Sequence, residues 1–224
     1  MKPKRIILIR HGKSEGNTNK DIYARKPDYT VELTRLGKAQ AKQAGRKLKR
    51  LINDDSVCFY ISPFWRTRST FEEIAKSIDK QYTAEYKEEP RIREQEWGHL
   101  RELEVNEALN EARDAYGTFY FRIPDGESAA DVYDRVSDFM GTLDRDFKKD
   151  NFPANAVLIT HGMTMRIFLM RWFHWTVEEF EKVANPDNCK AIVLELKKDG
   201  KYKLKNKLKK HTVRHNFQRP IRLK

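Results

Sequence analysis

The feature that most constrains the fold is the alternation of short apolar runs with segments of helical spacing. Apolar runs of strand length lie at 5–10, 57–61 and 156–160, and a helical segment follows each one, the first after a polar loop over 12–32. This alternation predicts an α/β fold with three layers (α/β/α), in which helices cover both faces of a mostly parallel central sheet.

Capping residues predict where several helices begin. Thr34 is a predicted N-cap, and Ser128 with Asp131, like Thr176 with Glu179, forms a predicted capping box. The helix after Thr34 is expected to place a set of apolar residues on one face, namely Leu33, Leu36, Ala41, Ala44, Leu48, Leu51 and Ile52. The other predicted elements are a strand at 82–87, an irregular charged segment at 88–102, a helix at 103–116, and a hairpin of 190–197 with 201–207.

The length and the cysteine content narrow the class of protein. The 224 residues contain no visible repeat or linker, so we expect one domain over 1–224, ending in a basic hairpin and tail over about 188–224. The longest apolar runs are too short for a membrane span or a signal peptide. Cys58 and Cys189 lack the spacing of metal ligands and are predicted to be reduced thiols. Together these features predict a cytoplasmic protein that does not enter a membrane.

The net charge of +12 and the pI near 9.6 raise the question of a polyanionic partner. Most of the lysines are expected to solvate the surface. For the basic segment 197–224, a solvated hairpin and tail is the favoured interpretation. Closure over a pocket, and binding of nucleic acid or anionic lipid, are the alternatives, with nucleic acid the less favoured partner.

Three predicted strand ends carry related chemistry. Arg10 and His11 follow the first strand, Arg66 lies shortly after the second, and His161 follows the strand at 156–160. Because parallel strands end at the same edge of a sheet, these side chains are expected to converge there. Arginine matches phosphate oxygens, a neutral imidazole can attack phosphorus, and a charged imidazole can stabilise the transferring group. One histidine in each state would suit phosphoryl transfer without a metal.

Six short motifs resemble one known family. In chain order they are Arg10-His11-Gly12 with Ser14 and Asn17, Leu33-Thr34-x-x-Gly37-x-x-Gln40-Ala41, Ser62-Pro63-x-x-Arg66-Thr67-x-x-Thr70, Glu94-x-x-x-Gly98, Gly126-Glu127-Ser128, and His161-Gly162. Their order resembles the histidine phosphatase superfamily, which includes the cofactor-dependent phosphoglycerate mutases. The run from Arg91 to Gly98 is most similar to a subgroup of phosphoglycerate mutase-like proteins and phosphatases.

The resemblance implies roles for the residues at the strand ends. His11 would be the nucleophile and would form a phosphohistidine. Arg10, Arg66 and His161 would hold the phosphoryl oxygens.

The resemblance also implies an acid and further donors. Glu94 would protonate the leaving oxygen and then activate water, which needs a carboxyl group with a raised pKa. The irregular segment around Trp97 could bury it in part. Asn17 and the backbone amide of Gly162 would bind the substrate.

The opening motif contains two further polar side chains, Lys13 and Ser14. Lys13 stands where the family usually has an acidic residue, so it adds positive charge beside the pocket and could favour more anionic substrates. Ser14 is expected to form hydrogen bonds within the loop of the substrate pocket rather than to act as a nucleophile.

These residues predict a phosphomonoester hydrolase that acts on a small phosphorylated substrate, with neither a metal nor a cofactor. One alternative is a 2,3-bisphosphoglycerate-dependent phosphoglycerate mutase, although the segment after Gly98 does not resemble that of the true mutases. The other is an inactive phosphate-binding scaffold that contacts a polyanion through its basic tail.

Overall fold

The computed structural model describes residues 2–98 and 103–211, with side chains in the helix that starts at Leu103 described from 108 onward. Six strands of this part form one sheet in the order β3-β2-β4-β1-β5-β6. Their bounds are β1 Arg5–Arg10, β2 Val57–Ile61, β3 Thr83–Glu88, β4 Asn155–Thr160, β5 Ala191–Leu196 and β6 Tyr202–Leu204. Strands β1 to β4 run parallel to one another, β5 pairs antiparallel with β1, and β6 pairs antiparallel with β5. The predicted mostly parallel sheet is confirmed.

Helices cover both faces of the sheet. Their bounds are α1 Glu15–Thr18, α2 Arg35–Ile52, α3 Trp65–Ala75, α4 Leu103–Tyr116, α5 Ala129–Phe147, α6 Gly162–Phe173 and α7 Val177–Glu181. Alternate residues of β1 enter two separate cores, because successive strand residues point to opposite faces. Ile6 and Leu8 pack with α5 and α6, whereas Ile7 and Ile9 pack with α2 and α3. The predicted three-layer α/β/α arrangement is confirmed.

The predicted caps are present. Thr34 Oγ1 accepts a hydrogen bond from the Gly37 amide at 3.0 Å, and the capping boxes that start α5 and α7 are both formed. The predicted apolar face of α2 is wrong at Leu36, whose surface is 54% exposed. The buried face of α2 passes through Gly37, one turn before Ala41, so its neighbour Leu36 lies off that face.

The loop over 12–32 is more ordered than expected. It contains α1 and two 3₁₀ turns, Lys20–Ala24 and Asp28–Thr30. Side-chain caps explain this order, since Ser14 caps α1 and Asn19 accepts from the Asp21 amide at 2.9 Å. Short polar residues thus stabilise turns that the spacing of apolar residues does not predict.

The terminal hairpin forms, but its second strand is shorter than predicted. The strand β6 ends at Leu204. Beyond it, Asn206 Oδ1 accepts a hydrogen bond from the Val193 amide at 2.7 Å, in place of a backbone carbonyl. The chain then runs beside 182–184, where the Ala184 amide donates to the Lys209 carbonyl. The rest of the predicted basic tail, 212–224, lies outside the described residues, as does His99 in the segment predicted to be irregular.

Cys58 is buried in β2 and Cys189 is half-buried, and both are free thiols, as predicted. In the part of the chain that the structure describes, no helix is long and apolar enough to cross a membrane.

Candidate active site

The register of the three central strands brings two histidines together. Arg10 pairs with Thr160, so the next residue of each strand, His11 and His161, leaves the sheet at the same level. The two imidazole rings lie with centroids 5.2 Å apart at 59°. The third strand end contributes Ser62, whose amide donates to the Ile159 carbonyl. The convergence predicted from the sequence is therefore present in the structure.

The imidazole of His11 is fixed in one tautomer. Its Nδ1 lies 2.8 Å from the Gly12 carbonyl oxygen, which can only accept, so Nδ1 carries the proton and Nε2 keeps a lone pair. Burial, together with the charges of Arg66 and Arg10, holds the pKa of His11 well below its usual range. The ring is consequently neutral.

His161 is completely buried beside it. Its Nε2 forms a 2.7 Å hydrogen bond with Ser62 Oγ, and its buried Nδ1 has no hydrogen-bond partner within the described residues. Burial and the charge of Arg66 also hold the pKa of His161 well below its usual range. Both imidazoles are therefore neutral in this structure, which differs from the expectation of one in each charge state. The main cause is the burial of both rings, and the nearby guanidinium groups of Arg66 and Arg10 act in the same direction.

Arg66 lies in the first turn of α3 and is 3% exposed. Its guanidinium packs over Phe64 at 4.8 Å, and its Nη1 donates to both Oδ1 and the backbone carbonyl of Asp28, each at 2.7 Å. A cation at a helix N-terminus is unfavourable unless an anion is near. The structure places the Asp28 carboxylate there, which the sequence analysis missed.

Arg10 reaches the same region from the end of β1. Its Nη1 donates to the Pro186 carbonyl at 2.7 Å, and its Nε is buried with no hydrogen-bond partner within 2–98 or 103–211. Burial lowers the pKa of Arg10, against the opposing charge of Glu94. Arg10 is thus a partly paired cation in electrostatic contact with Glu94 and Arg66.

Glu94 lies in the irregular segment that follows β3. Burial raises the pKa of its carboxyl group, although the charges of Arg66 and Arg10 oppose the shift. Its Oε1 accepts from the Gln95 amide at 3.1 Å. A raised pKa is the property that the sequence analysis required of an acid at this position.

A network of side chains holds the Glu94 segment in place. Arg135 of α5 donates to the backbone carbonyls of Arg91, Arg93 and Glu94 at 2.6, 3.0 and 3.0 Å. Glu127 accepts from Arg135 at 2.9 and 3.0 Å and from Arg93 at 2.7 Å. Glu127 belongs to the Gly126-Glu127-Ser128 motif, so the structure assigns this motif a part in supporting the segment.

Hydrogen bonds between backbone amides and polar side chains fix the opening motif. Ser14 is buried and its Oγ accepts from the Asn17 amide, so it caps α1, consistent with the expected loop hydrogen bonding. Asn17 Oδ1 accepts from the Ser14 amide at 3.2 Å and from Asn188 Nδ2 at 3.1 Å, which leaves its own NH₂ group as a donor. Lys13 is half-buried, and its amide donates to Gln40 Oε1.

Glycines allow two close approaches at the site. A Cβ on Gly12 would lie 2.5 Å from the Gly37 carbonyl oxygen, and a Cβ on Gly37 would clash with the Lys13 carbonyl oxygen, which explains why both motifs contain glycine. A Cβ on Gly162 would lie 2.8 Å from the Asn185 side chain. Gly162 is the first residue of the 12-residue helix α6, whose N-terminal amides lack partners within the helix and can receive an anion.

Sequence reasoning missed several groups around Glu94 and Arg10. Tyr23 faces these charges, and burial raises its pKa to about 12. Arg113 of α4 packs over Trp97 at 4.9 Å. Arg166 of α6 packs over Phe180 at 4.2 Å, and burial lowers its pKa to about 10. Arg166 could have been found from the sequence, because it is a charged residue within the largely apolar sequence of α6.

Comparison with known proteins identifies the family of this chain. The family model of the histidine phosphatase superfamily (branch 1) matches residues 6–207. A phosphoglycerate mutase-like protein of Arabidopsis thaliana is 43% identical over 217 residues, which cover 90% of this chain and 77% of that protein. A broad-range acid phosphatase of Saccharomyces cerevisiae is 32% identical, with 94% of this chain and 91% of that protein covered.

The fold is shared with solved structures of low sequence identity. The structure of a mycobacterial glucosyl-3-phosphoglycerate phosphatase has a TM-score of 0.71 and 20% identity, covering 91% of this chain and 98% of that chain. This chain belongs to the histidine phosphatase superfamily, branch 1, and is an enzyme of that type.

Proposed function

We propose that this chain hydrolyses small phosphomonoesters through a phosphohistidine formed on His11, without a metal ion or another cofactor. The observation that carries the proposal is the hydrogen bond from His11 Nδ1 to the Gly12 carbonyl, which leaves Nε2 as the nucleophilic atom. The lowered pKa keeps that atom unprotonated at neutral pH. The similarity to a broad-range acid phosphatase supports the phosphatase activity.

The proposed binding mode uses the groups around the two imidazoles. Arg10 and Arg66 would pair with the phosphoryl oxygens, with the Asn17 NH₂ group and the amide of Gly162 as further donors. A bound dianion would raise the pKa of His161, because it offsets the cationic charges that now lower it. His161 could then carry a proton and donate to a phosphoryl oxygen.

The proposed chemistry has two steps. In the first, His11 Nε2 forms a bond to phosphorus as the ester P–O bond breaks, and Glu94 gives its proton to the leaving oxygen. In the second, water attacks phosphorus, Glu94 takes a proton from that water, the N–P bond breaks, and inorganic phosphate leaves. Glu94 alternates between acid and base, as its raised pKa permits.

Transfer of the phosphoryl group back to a substrate is the second candidate, as in a mutase. The similarity to a phosphoglycerate mutase-like protein is the observation that favours it. The two candidates share the first step and differ in whether water or a second substrate hydroxyl accepts the phosphoryl group.

The test compares wild-type protein with His11→Ala on a panel of phosphorylated sugars, glycerates, nucleotides and phosphopeptides, with phosphate release as the readout. We expect His11→Ala to abolish release and EDTA to leave the wild-type rate unchanged. His174→Asn is the matched control, since His174 is exposed at a left-handed position that asparagine tolerates. Full activity of His11→Ala would refute the proposal, and isomerisation of a phosphoglycerate without phosphate release would favour the mutase.

A further inference from the structure

The salt bridge between Arg66 and Asp28 is the least expected contact of the site. Asp28 starts a 3₁₀ turn in the segment between α1 and α2, 38 positions before Arg66. Its Oδ1 and backbone carbonyl each accept from Arg66 Nη1 at 2.7 Å, and its Oδ2 lies 3.3 Å from Nη2. The Arg66 side chain is 4% exposed and that of Asp28 is 22% exposed, so the pair is largely shielded from water.

The geometry divides the donors of Arg66 into two sets. Asp28 takes both hydrogens of Nη1 and one of Nη2. The Nε–H and the second Nη2–H are not used by Asp28, and these two lie on one edge of the planar guanidinium, which matches two phosphoryl oxygens. Asp28 therefore holds Arg66 by one side and leaves its other side for an anion.

The carboxylate also changes the charge of the site. With His11 and His161 neutral, the guanidinium groups of Arg10 and Arg66 are the cations that act on both imidazoles, and the carboxylate of Asp28 is paired with Arg66. Asp28 thus offsets one of two positive charges. A site with two uncompensated arginines would bind the phosphate product tightly and release it slowly.

We propose that Asp28 is a positioning residue whose carboxylate fixes the orientation of Arg66 and lowers the affinity of the site for inorganic phosphate, so that the product leaves. This inference rests on the proposed hydrolysis, because it concerns the product of that reaction. It assigns a role to a residue outside the six motifs.

The test uses inorganic phosphate as the ligand and isothermal titration calorimetry of the full chain at pH 7 and constant ionic strength. Asp28→Asn keeps an acceptor of the same shape but removes the charge. Removing one anionic charge near a bound dianion is expected to tighten phosphate binding by about tenfold. Asp28→Glu keeps the charge and should stay near the wild-type affinity. Glu32→Gln is the matched control, since Glu32 is an exposed acid of the same segment.

A kinetic measurement separates positioning from charge. We expect Asp28→Asn to lower the inhibition constant for phosphate and the KM for a phosphomonoester together. Asp28→Ala removes the hold on Arg66 as well, so its kcat should fall further than that of Asp28→Asn. A purely structural role would weaken phosphate binding in both variants.

The inference is overturned if Asp28→Asn binds phosphate no more tightly than the wild-type protein does. It is also overturned if neither protein binds phosphate detectably. Failure of the proposed function is a separate result, since it appears as absent hydrolysis by the wild-type protein, whereas calorimetry requires no turnover.

Discussion

Replacement of Arg135 is expected to lower the stability of the protein by an amount that follows from the contacts of this side chain. Arg135 makes two hydrogen bonds to Glu127 and one each to three backbone carbonyls of the Glu94 segment. Its side chain is 11% exposed and that of Glu127 is 14% exposed. Arg135→Met would keep most of the side-chain volume but would leave Glu127 with Arg93 as its one remaining cationic partner among the ion pairs described.

Loss of one partner from a buried charge pair costs about 3–5 kcal/mol. For a chain of this length, 1 kcal/mol corresponds to about 2–4 °C in Tm. We therefore expect Arg135→Met to lower Tm by roughly 6–20 °C, measured by circular dichroism at pH 7. The kcat should fall as well, most for substrates with poor leaving groups, because the acid Glu94 is then less firmly placed.

The control lies on the same helix. Arg145 of α5 is exposed, and its side chain donates to Thr142 Oγ1 at 3.0 Å. Arg145→Met should change stability by no more than about 0.5 kcal/mol. Equal shifts of Tm in the two variants would show that the network does not stabilise the fold, and an unchanged kcat in Arg135→Met would show that it does not place Glu94.

Three further outcomes are expected. Since burial raises the pKa of Glu94, kcat/KM for alkyl phosphates should fall as the pH rises through that raised pKa, and a flat profile would contradict the acid role. Glu94→Gln should nearly abolish the release of alcohol from alkyl phosphates but should spare the initial burst of p-nitrophenol from p-nitrophenyl phosphate, whose leaving group needs no proton; equal losses in both would refute this. His11 and His161 have lowered folded-state pKa values, so the unfolded chain binds more protons below pH 6.5, and stability present above that pH is lost as the pH falls. Thermal melts from pH 7.5 to 5 check this, and His161→Asn should show a shallower slope than wild type.

Local chemistry was enough to predict most of the secondary structure. Thr34, Ser128 and Thr176 cap helices as expected, because a cap depends on residues three positions apart. The meeting of His11 with His161 was also predictable. It follows from one rule, that parallel strands end at the same edge of the sheet.

Contacts set by the paths of loops were not predictable. Asp28 reaches Arg66 across 38 positions, through a segment without apolar periodicity. The charge states of the imidazoles could not be predicted from the sequence either, since they depend on burial and on how near the guanidinium groups lie. The exposure of Leu36 shows a related limit, because the apolar pattern does not reveal that Gly37, a residue without a side chain, takes the buried position in this turn of α2.

The central claim is that His11 Nε2 forms a covalent bond to phosphorus during hydrolysis. The direct measurement is mass spectrometry of protein quenched with alkali during turnover of a phosphomonoester, with fragmentation to locate the phosphoryl group. We predict phosphorylation of His11 in wild-type protein, its accumulation in Glu94→Gln with an activated substrate, and its absence in His11→Ala. A phosphoryl group on any other residue, or steady turnover with no phosphorylated protein in either the wild type or Glu94→Gln, would contradict the claim.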